Sequence, residues 1–337
     1  MIKLLYIDNR KYGHNRDIHV DFIDSLNKNK IFTVVGFGSG LYNLSFKYYK
    51  PNNSNINNHF FNIIKKEKPD AILTYNRNGS SYTSGGDNIS LYNWIADALK
   101  KVDLPKFHIT TDYCRSGFRQ EQADWFKNLG FSASIFRQKV ALDYPIDIDS
   151  YWLPFSVDSS LYNKYSIKNF NIKSKKVGFI GSAGDISKNL YRNRIAAMDF
   201  LSKKNLLKTT RVVGNNFKRK MLFGKDYINF ISSQRFGLTC GGTCNFLTAK
   251  YFQIPAAKSM LICSDTIGLE IFPEDLYIKY SADNLEEMID SIEYYNNNNN
   301  NEKEYRERTL SLNSFVIKNH NNKKRGIELL SIIKRYL

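Results

Sequence analysis

Short apolar runs alternate along the chain with segments that repeat an apolar residue every third or fourth position. The runs are typical of buried strands, and they form one series in the first half and another in the second. They cover residues 2–7, 31–36, 70–75, 106–111 and 134–137, then 176–181, 211–214, 236–240, 260–264 and 276–279. Two series of strands with helices between them predict an α/β protein with two doubly wound, Rossmann-like domains.

Two of the intervening segments show the spacing of a single buried helical face. An i, i+3, i+4 repeat places apolar side chains on one side of a helix. The first set is Leu91, Trp94, Ile95, Ala98 and Leu99, and the second is Leu285, Met288, Ile289 and Ile292.

A polar segment that contains proline separates the two series. Pro145 and Pro154 interrupt regular structure before the second series begins. We therefore predict a first domain over residues 1–160, a second domain over residues 161–315, and a hinge near 155–175.

The charge of the chain makes polyanionic partners plausible without choosing among them. Its 49 Lys and Arg residues against 32 Asp and Glu residues give a formal net charge of +17. Such an excess attracts polyanions, which include nucleic acid, anionic lipid head groups and acidic glycans. The asparagine- and lysine-rich composition that an AT-rich genome imposes accounts for the same excess, so both explanations stay open.

The cysteine pattern favours a reducing compartment, and the hydropathy of the chain predicts no membrane span. The four cysteines lack paired CxxC spacing, which is typical of reduced thiols and not of a disulfide or zinc framework. No apolar run approaches the roughly 20 residues that cross a bilayer, and the first residues do not form a signal peptide. We expect a cytoplasmic protein without a transmembrane segment.

A small-residue turn follows the first strand of the second series. It reads G-S-A-G, from Gly181 through Ser182 to Gly184, and a helix with Arg192 and Arg194 comes after it. Such a turn lets backbone amides approach an anion such as a diphosphate, although many turns of this kind only connect elements. The G-x-G-x-x-G spacing and a Walker lysine are both absent, which argues against a dehydrogenase or a P-loop ATPase.

Several motifs occur in a characteristic order. W-L-P-F-S-V-D at 152–158 is followed by the turn at 181–184, by V-V-G-N at 212–215, by Y-I-N-F-I-S-S at 227–233 and by T-A-K-Y-F-Q-I-P-A-A at 248–257. In this order and spacing they resemble the CgeB-like glycosyltransferases, a branch of the GT-B group. The resemblance covers mainly the second half of the chain.

The resemblance implies two Rossmann-like domains that face each other across a cleft. The second domain would bind a nucleotide-diphosphate sugar, with a UDP-sugar favoured, and would need neither a tightly bound cofactor nor a metal. A terminal helix within 316–337, with one apolar face, would cross back to the first domain. The donor-binding residues that it implies are Gly181, Ser182, Gly184, Arg192, Asn245, Thr248, Lys250 and Gln253.

The chain departs from the GT-B pattern at two of these positions. Related enzymes place two carboxylates eight positions apart, whereas this chain has Asn245 and Gln253. An amide still forms hydrogen bonds with hydroxyls but lacks the charge that strengthens them. Lys250 lies one helical turn before Gln253, where its ammonium would neutralise the departing diphosphate.

The first domain would hold the acceptor and the general base. His14 lies in a glycine-containing loop after the first strand, where a histidine can accept a proton at neutral pH or can simply be solvated. Asp112 follows a buried strand, where a carboxylate can act as a base or instead cap the next turn.

The resemblance, taken with these residues, implies an enzyme that transfers a hexose from a nucleotide-sugar to an acceptor hydroxyl. A surface glycan would be the ordinary acceptor for such a family, and the net charge keeps open a nucleic acid with hydroxymethylated bases. The alternative is a non-catalytic protein that binds polyanions on a degenerate GT-B scaffold. Binding that depends strongly on salt and ignores nucleotide-sugar would favour this alternative.

Overall fold

The chain folds into two compact units, each built on its own parallel sheet. The computed structural model describes residues 1–8, 18–38, 44–51, 55–76, 95–110, 119–143, 146–181, 191–210, 222, 224–241, 245–297 and 301–337. Unit 1 comprises Met1–Pro154 and Asn322–Leu337, and unit 2 comprises Phe155–Asn321. The predicted α/β class with two doubly wound parallel sheets is confirmed.

Seven parallel strands form the sheet of unit 1. They are β1 (Lys3–Ile7), β2 (Thr33–Phe37), β3 (Tyr48–Tyr49), β4 (Ala71–Asn76), β5 (Lys106–Thr110), β6 (Ala133–Phe136) and β7 (Asp149–Trp152). Their order is β3-β2-β1-β4-β5-β6-β7, so the direction of winding reverses between β1 and β4. The buried strands read as nearly continuous apolar runs because helices cover both faces of the sheet.

Five helices of unit 1 are described. They are α1 (Ile18–Lys28), α2 (Ile56–Glu67), α3 (Ala96–Lys100), α4 (Arg119–Asn128) and, from the end of the chain, α11 (Asn322–Ile333). Helix α11 buries Leu329, Ile332 and Ile333 in the same apolar cluster as β1, β4 and β5. The C-terminal residues therefore complete the core of unit 1.

Unit 2 contains a five-stranded parallel sheet and six described helices. The strands are β8 (Ser174–Phe179), β9 (Leu207–Thr209), β10 (Gln234–Thr239), β11 (Met260–Ser264) and β12 (Ile278–Tyr280), in the order β12-β11-β10-β8-β9. The helices are α5 (Ser159–Tyr165), α6 (Arg192–Lys203), α7 (Gly224–Ser232), α8 (Lys250–Ala256), α9 (Glu286–Asn297) and α10 (Glu302–Asn319).

The limits of the units differ from the limits predicted from the sequence. The chain leaves unit 1 at Pro154, and the predicted limit after residue 160 falls inside helix α5. Val157 already belongs to unit 2, because its amide donates to the His320 carbonyl oxygen at 3.0 Å. The return to unit 1 occurs at Asn322, since residues 316–319 still belong to α10.

Three strands were not predicted. β3 and β9 are only two and three residues long and lie at sheet edges, so their apolar patterns are too short to recognise. β7 lies in the segment that the sequence suggested as a polar linker, and two of its four residues are exposed. The predicted strand over 211–214 lies outside the described residues.

Candidate functional site

The winding of the unit 2 sheet reverses between β8 and β10. These two strands are parallel neighbours, with Gly237 opposite Gly178, while β9 lies beyond β8 and β11 lies beyond β10. The connections that leave the two strands run to opposite sides, which opens a crevice at their carboxyl ends. Side chains at this edge are therefore the first candidates for a binding site.

Lys250 reaches this edge from the first residue of helix α8. A Cβ atom added to Gly181, just after β8, would lie 2.3 Å from the Lys250 Nζ atom. The same Nζ atom lies 5.2 Å from the ring centroid of Phe179, the last residue of β8. Gly181 has a φ of +152°, a conformation that glycine adopts readily. The missing side chain at Gly181 thus provides the space that the ammonium group occupies.

A second cation, Arg194, lies near the same edge and is buried. Its guanidinium carbon is 4.0 Å from the Tyr191 ring centroid and 5.6 Å from that of Phe179, the ring that Lys250 also approaches. Only 4% of the Arg194 surface is exposed. A planar guanidinium that stacks on aromatic rings is held in a fixed position with little conformational freedom to lose on binding.

The Cys240 thiol, directly after β10, is close enough to both cations to respond to them. Burial raises its pKa, and the positive charges of Arg194 and Lys250 oppose that shift. Arg194 and Lys250 both approach the ring of Phe179, the last residue of β8, so both cations lie near this edge of the sheet. Two positive charges at a sheet switch point suit an anionic ligand.

The described parts of the loop between β10 and α8, on either side of residues 242–244, contact the end of β11 and the residues that follow it. The Gly241 amide donates to Ser264 Oγ at 3.2 Å, and the Tyr251 hydroxyl donates to the Ser264 carbonyl oxygen at 2.9 Å. The Asn245 carbonyl oxygen accepts from the Ile267 amide at 2.9 Å. Because these bonds join α8 and its preceding loop to the sheet, they hold Lys250 in place.

The predicted donor-binding residues of this loop lie at one edge. A Cβ atom on Gly241 would lie 2.8 Å from the Asn245 Oδ1 atom, so this amide sits beside the end of β10. Asn245 is exposed and has a φ of 54°, which asparagine tolerates better than most residues. The Thr248 hydroxyl lies 3.5 Å from that of Thr239, the last residue of β10. Gln253 is half-buried on α8, one turn after Lys250.

Arg192 occupies a different environment. Its guanidinium binds the Asp283 carboxylate at 2.7 Å, and both side chains are largely exposed. Arg194, which the sequence places in the same helix but which was not among the predicted donor-binding residues, is the arginine of α6 that is buried near Lys250. The spacing of residues along α6 indicates that Arg194 is buried. Arg194 shares one buried helical face with Ala197, Met198 and Leu201, and Arg192 does not lie on that face.

Some predicted site residues lie outside the described residues, namely His14, Asp112, Ser182 and Gly184. The carboxyl edge of the unit 1 sheet nevertheless shows a buried carboxylate that the sequence did not single out. Asp8 follows β1 at the point where the winding reverses, is 5% exposed, and accepts a hydrogen bond from the Tyr6 hydroxyl at 2.8 Å.

Within the described ranges, no group of three or more His, Cys, Asp or Glu residues is placed to hold a metal ion. Among the same residues, no helix is both long enough and apolar enough to cross a bilayer.

Comparisons with known proteins agree with this architecture. A family model described as glycosyl transferase-like matches residues 192–331, which include Arg194, Lys250 and Gln253. A search among curated proteins found no match.

Solved structures resemble the chain over nearly its whole length. An α-glucosyltransferase in complex with UDP and a 13-mer DNA has a TM-score of 0.69 at 10% identity, with coverage of 99% of this chain and 100% of the other. Anabaena Alr3699/HepE in complex with UDP-glucose has a TM-score of 0.69 at 9% identity, with the same coverage. A glycosyltransferase from Rickettsia africae ESF-5 has a TM-score of 0.62 at 12% identity, with coverage of 99% and 98%. The chain therefore has the GT-B glycosyltransferase fold.

Proposed function

We propose that the protein is a glycosyltransferase that moves a hexose from a nucleotide-diphosphate sugar to an acceptor hydroxyl. The observation that carries the proposal is the Lys250 ammonium over Gly181, at the switch point of the unit 2 sheet. A fixed cation at such a point can stabilise the negative charge that develops on a diphosphate leaving group. This arrangement would let transfer proceed without a metal ion.

In this proposal, unit 2 binds the donor. Lys250 and Arg194 face the diphosphate, and the backbone near Gly181 approaches it closely. Asn245 and Gln253 bind donor hydroxyls through their side-chain amides, in place of the carboxylates of related enzymes. Thr248 adds a hydroxyl beside Asn245. Arg192, Ser182 and Gly184 stay predictions for the same subsite.

A UDP-sugar is the favoured donor. The proteins of similar fold include one in complex with UDP and one in complex with UDP-glucose. The order of motifs in the second half favours the CgeB-like branch within the GT-B group. Because amides replace the carboxylates at Asn245 and Gln253, we expect weaker donor binding than two carboxylates would give.

The acceptor would bind to unit 1. Asp112 and His14 stay the predicted base candidates, and buried Asp8 lies at the corresponding switch point of that sheet. The net charge of +17 suits an anionic acceptor, and a protein of similar fold is in complex with DNA. We propose a nucleic acid with hydroxymethylated bases or an anionic glycan as the acceptor.

Thermal unfolding with a panel of nucleotides tests the proposal. UDP, GDP, ADP, TDP and their common sugars would each be added, since a ligand that binds only the folded protein must raise the melting temperature. We expect UDP and UDP-sugars to raise it, by an amount that grows with ligand concentration. If no nucleotide at millimolar concentration raises it, the proposal fails and the polyanion-binding alternative takes its place.

A further inference from the structure

Ser264, the last residue of β11, binds two different segments at the carboxyl edge of the unit 2 sheet. Its hydroxyl oxygen accepts from the Gly241 amide at 3.2 Å, and its carbonyl oxygen accepts from the Tyr251 hydroxyl at 2.9 Å. Ser264 is 1% exposed, and Tyr251 is completely buried. One buried residue therefore holds both the start of the loop after β10 and the first turn of helix α8.

The bond to Gly241 supports the Asn245 side chain. A Cβ atom on Gly241 would lie 2.8 Å from Asn245 Oδ1 and 2.4 Å from Thr266 Cγ2, so both side chains pack directly against this glycine. The Ile267 amide donates to the Asn245 carbonyl oxygen at 2.9 Å. The Asn245 amide group thus lies against Gly241, whose own amide Ser264 holds.

The bond to Tyr251 supports Lys250. Lys250 is the first residue of α8, and the Tyr251 amide donates to the Thr248 carbonyl oxygen at 3.2 Å. The Tyr251 hydroxyl joins this first turn to the end of β11. A shift of Tyr251 would therefore move Lys250, its neighbour in the chain.

Asn245 and Lys250 suit different parts of a donor. Lys250 suits the diphosphate, because it is a cation at the switch point. The hexose must stay open to an acceptor, whereas the ribose need not, so exposed Asn245 suits the hexose and half-buried Gln253 suits the ribose. A hexose is bonded directly to its diphosphate, so both contacts form together only when Asn245 and Lys250 have the right spacing.

We propose that Ser264 is a positioning residue that sets the spacing between Asn245 and Lys250. Ser264 is buried and acts on the donor through Gly241 and Tyr251, as residues behind a binding site do when their hydrogen bonds lock its side chains in place. The consequence is selectivity for a nucleotide that carries a hexose over the free nucleotide. The inference rests on the proposed function, because both contacts belong to it.

Calorimetric titration of UDP-glucose and of UDP into Ser264→Ala tests the proposal. UDP has the diphosphate without the hexose, so the ratio of the two affinities isolates the hexose contact. The substitution removes the bond to Gly241 and leaves the Ser264 carbonyl oxygen, and with it the bond from Tyr251, in place. We expect UDP-glucose to bind about tenfold more weakly, as for one lost hydrogen bond, and UDP affinity to change by less than about twofold.

Ser259→Ala is the matched control for this variant. Ser259 lies directly before β11, is also 1% exposed, and donates through its hydroxyl to the Ile231 and Gln234 carbonyl oxygens at 2.8 and 2.9 Å. Its replacement should lower the melting temperature and leave the ratio of the two affinities unchanged. A ratio that changes equally in both serine variants, or that stays unchanged in Ser264→Ala, would overturn the proposal.

Tyr251→Phe tests the second bond of Ser264. It should weaken UDP and UDP-glucose by the same factor, about five- to tenfold, because both ligands contain the diphosphate that Lys250 faces. Tyr305→Phe is its control, since Tyr305 is also completely buried and its hydroxyl donates to the Arg235 carbonyl oxygen at 2.7 Å. This control should bind both ligands normally. Unchanged affinities in Tyr251→Phe, or a loss confined to UDP-glucose, would contradict the role of Ser264.

The unmodified chain separates the two levels of the account. If it binds neither UDP nor UDP-glucose, the proposed function fails and the inference about Ser264 fails with it. If it binds both and the serine and tyrosine variants do not differ from their controls, the inference about Ser264 fails alone.

Discussion

At the level of single residues, the proposed donor site depends on how close Lys250 comes to Gly181. An alanine side chain at position 181 would compete with the ammonium for the same space, since its Cβ would lie 2.3 Å from Nζ. Glycine is therefore required here by a contact and not only by its backbone conformation.

Gly181→Ala should weaken donor binding about tenfold or more, because a displaced ammonium loses a charge-assisted hydrogen bond. Calorimetric titration of UDP into the variant measures this. Gly224→Ala is the matched control, because Gly224 also has positive φ, of 51°, yet a Cβ there would meet no atom within 4 Å. Similar losses of donor affinity in both variants would indicate a general effect of replacing a glycine of positive φ, and the contact with Lys250 would then not be the cause.

Buried Lys173 makes the stability of unit 2 depend on pH. It is 6% exposed, and burial beside Lys258 and Arg235 lowers its pKa to about 7. Folding therefore favours the neutral amine, while the unfolded chain keeps the proton up to a pH near 10.5. The free-energy cost of burying Lys173 is complete below about pH 7 and declines as the pH rises toward 10.5.

Lys173→Met should consequently stabilise unit 2 most near pH 7, with a smaller gain at pH 9. Urea unfolding of both proteins at the two pH values measures the difference in the free energy of unfolding. A gain that is the same at both pH values would contradict the assignment of a lowered pKa to Lys173.

At the scale of elements, helix α11 shows how a segment distant in sequence completes a core. Leu329 is completely buried in the unit 1 cluster. Leu329→Ala should lower the free energy of unfolding by about 2–5 kcal/mol, whereas Ile327→Ala on the exposed face should change it by less than about 0.5 kcal/mol. Denaturant unfolding compares the two, and similar small effects would mean that α11 is not part of the core.

The elements also show what the sequence can and cannot predict. β11 has the bounds that its apolar run predicted, because a strand buried on both faces is a continuous apolar segment. β7 was missed because two of its residues are exposed at the sheet edge, so tertiary pairing with β6 decides its conformation. When pairing with a neighbouring strand provides most of the stability, the strand's own sequence does not need a strong apolar or β-branched pattern.

The same limit applies to the site. The sequence singled out Lys250 and Gly181, yet nothing in the spacing of two residues so far apart indicated that they touch. Arg194 was identifiable from its helical face, whereas Asp8 was not, because its burial depends on how β1 and β2 pair. Contacts across a sheet are set by topology and not by local pattern.

At the scale of the whole molecule, two parallel sheets give two switch points, one in each unit. One carries the cations Lys250 and Arg194, and the other carries the buried carboxylate Asp8. This division of charge suits a phosphate-binding unit and an acceptor-binding unit, as the proposed function requires.

The central claim is that Lys250 binds the diphosphate of a nucleotide-sugar. Calorimetric titration of UDP-glucose into the unmodified chain, Lys250→Ala and Lys204→Ala tests it most directly. We predict that Lys250→Ala weakens binding about 10- to 100-fold, the contribution of a hydrogen bond to a charged group, and that Lys204→Ala, at an exposed position of the same unit, binds normally. Equal affinity in all three proteins, or no binding by the unmodified chain, would contradict the account.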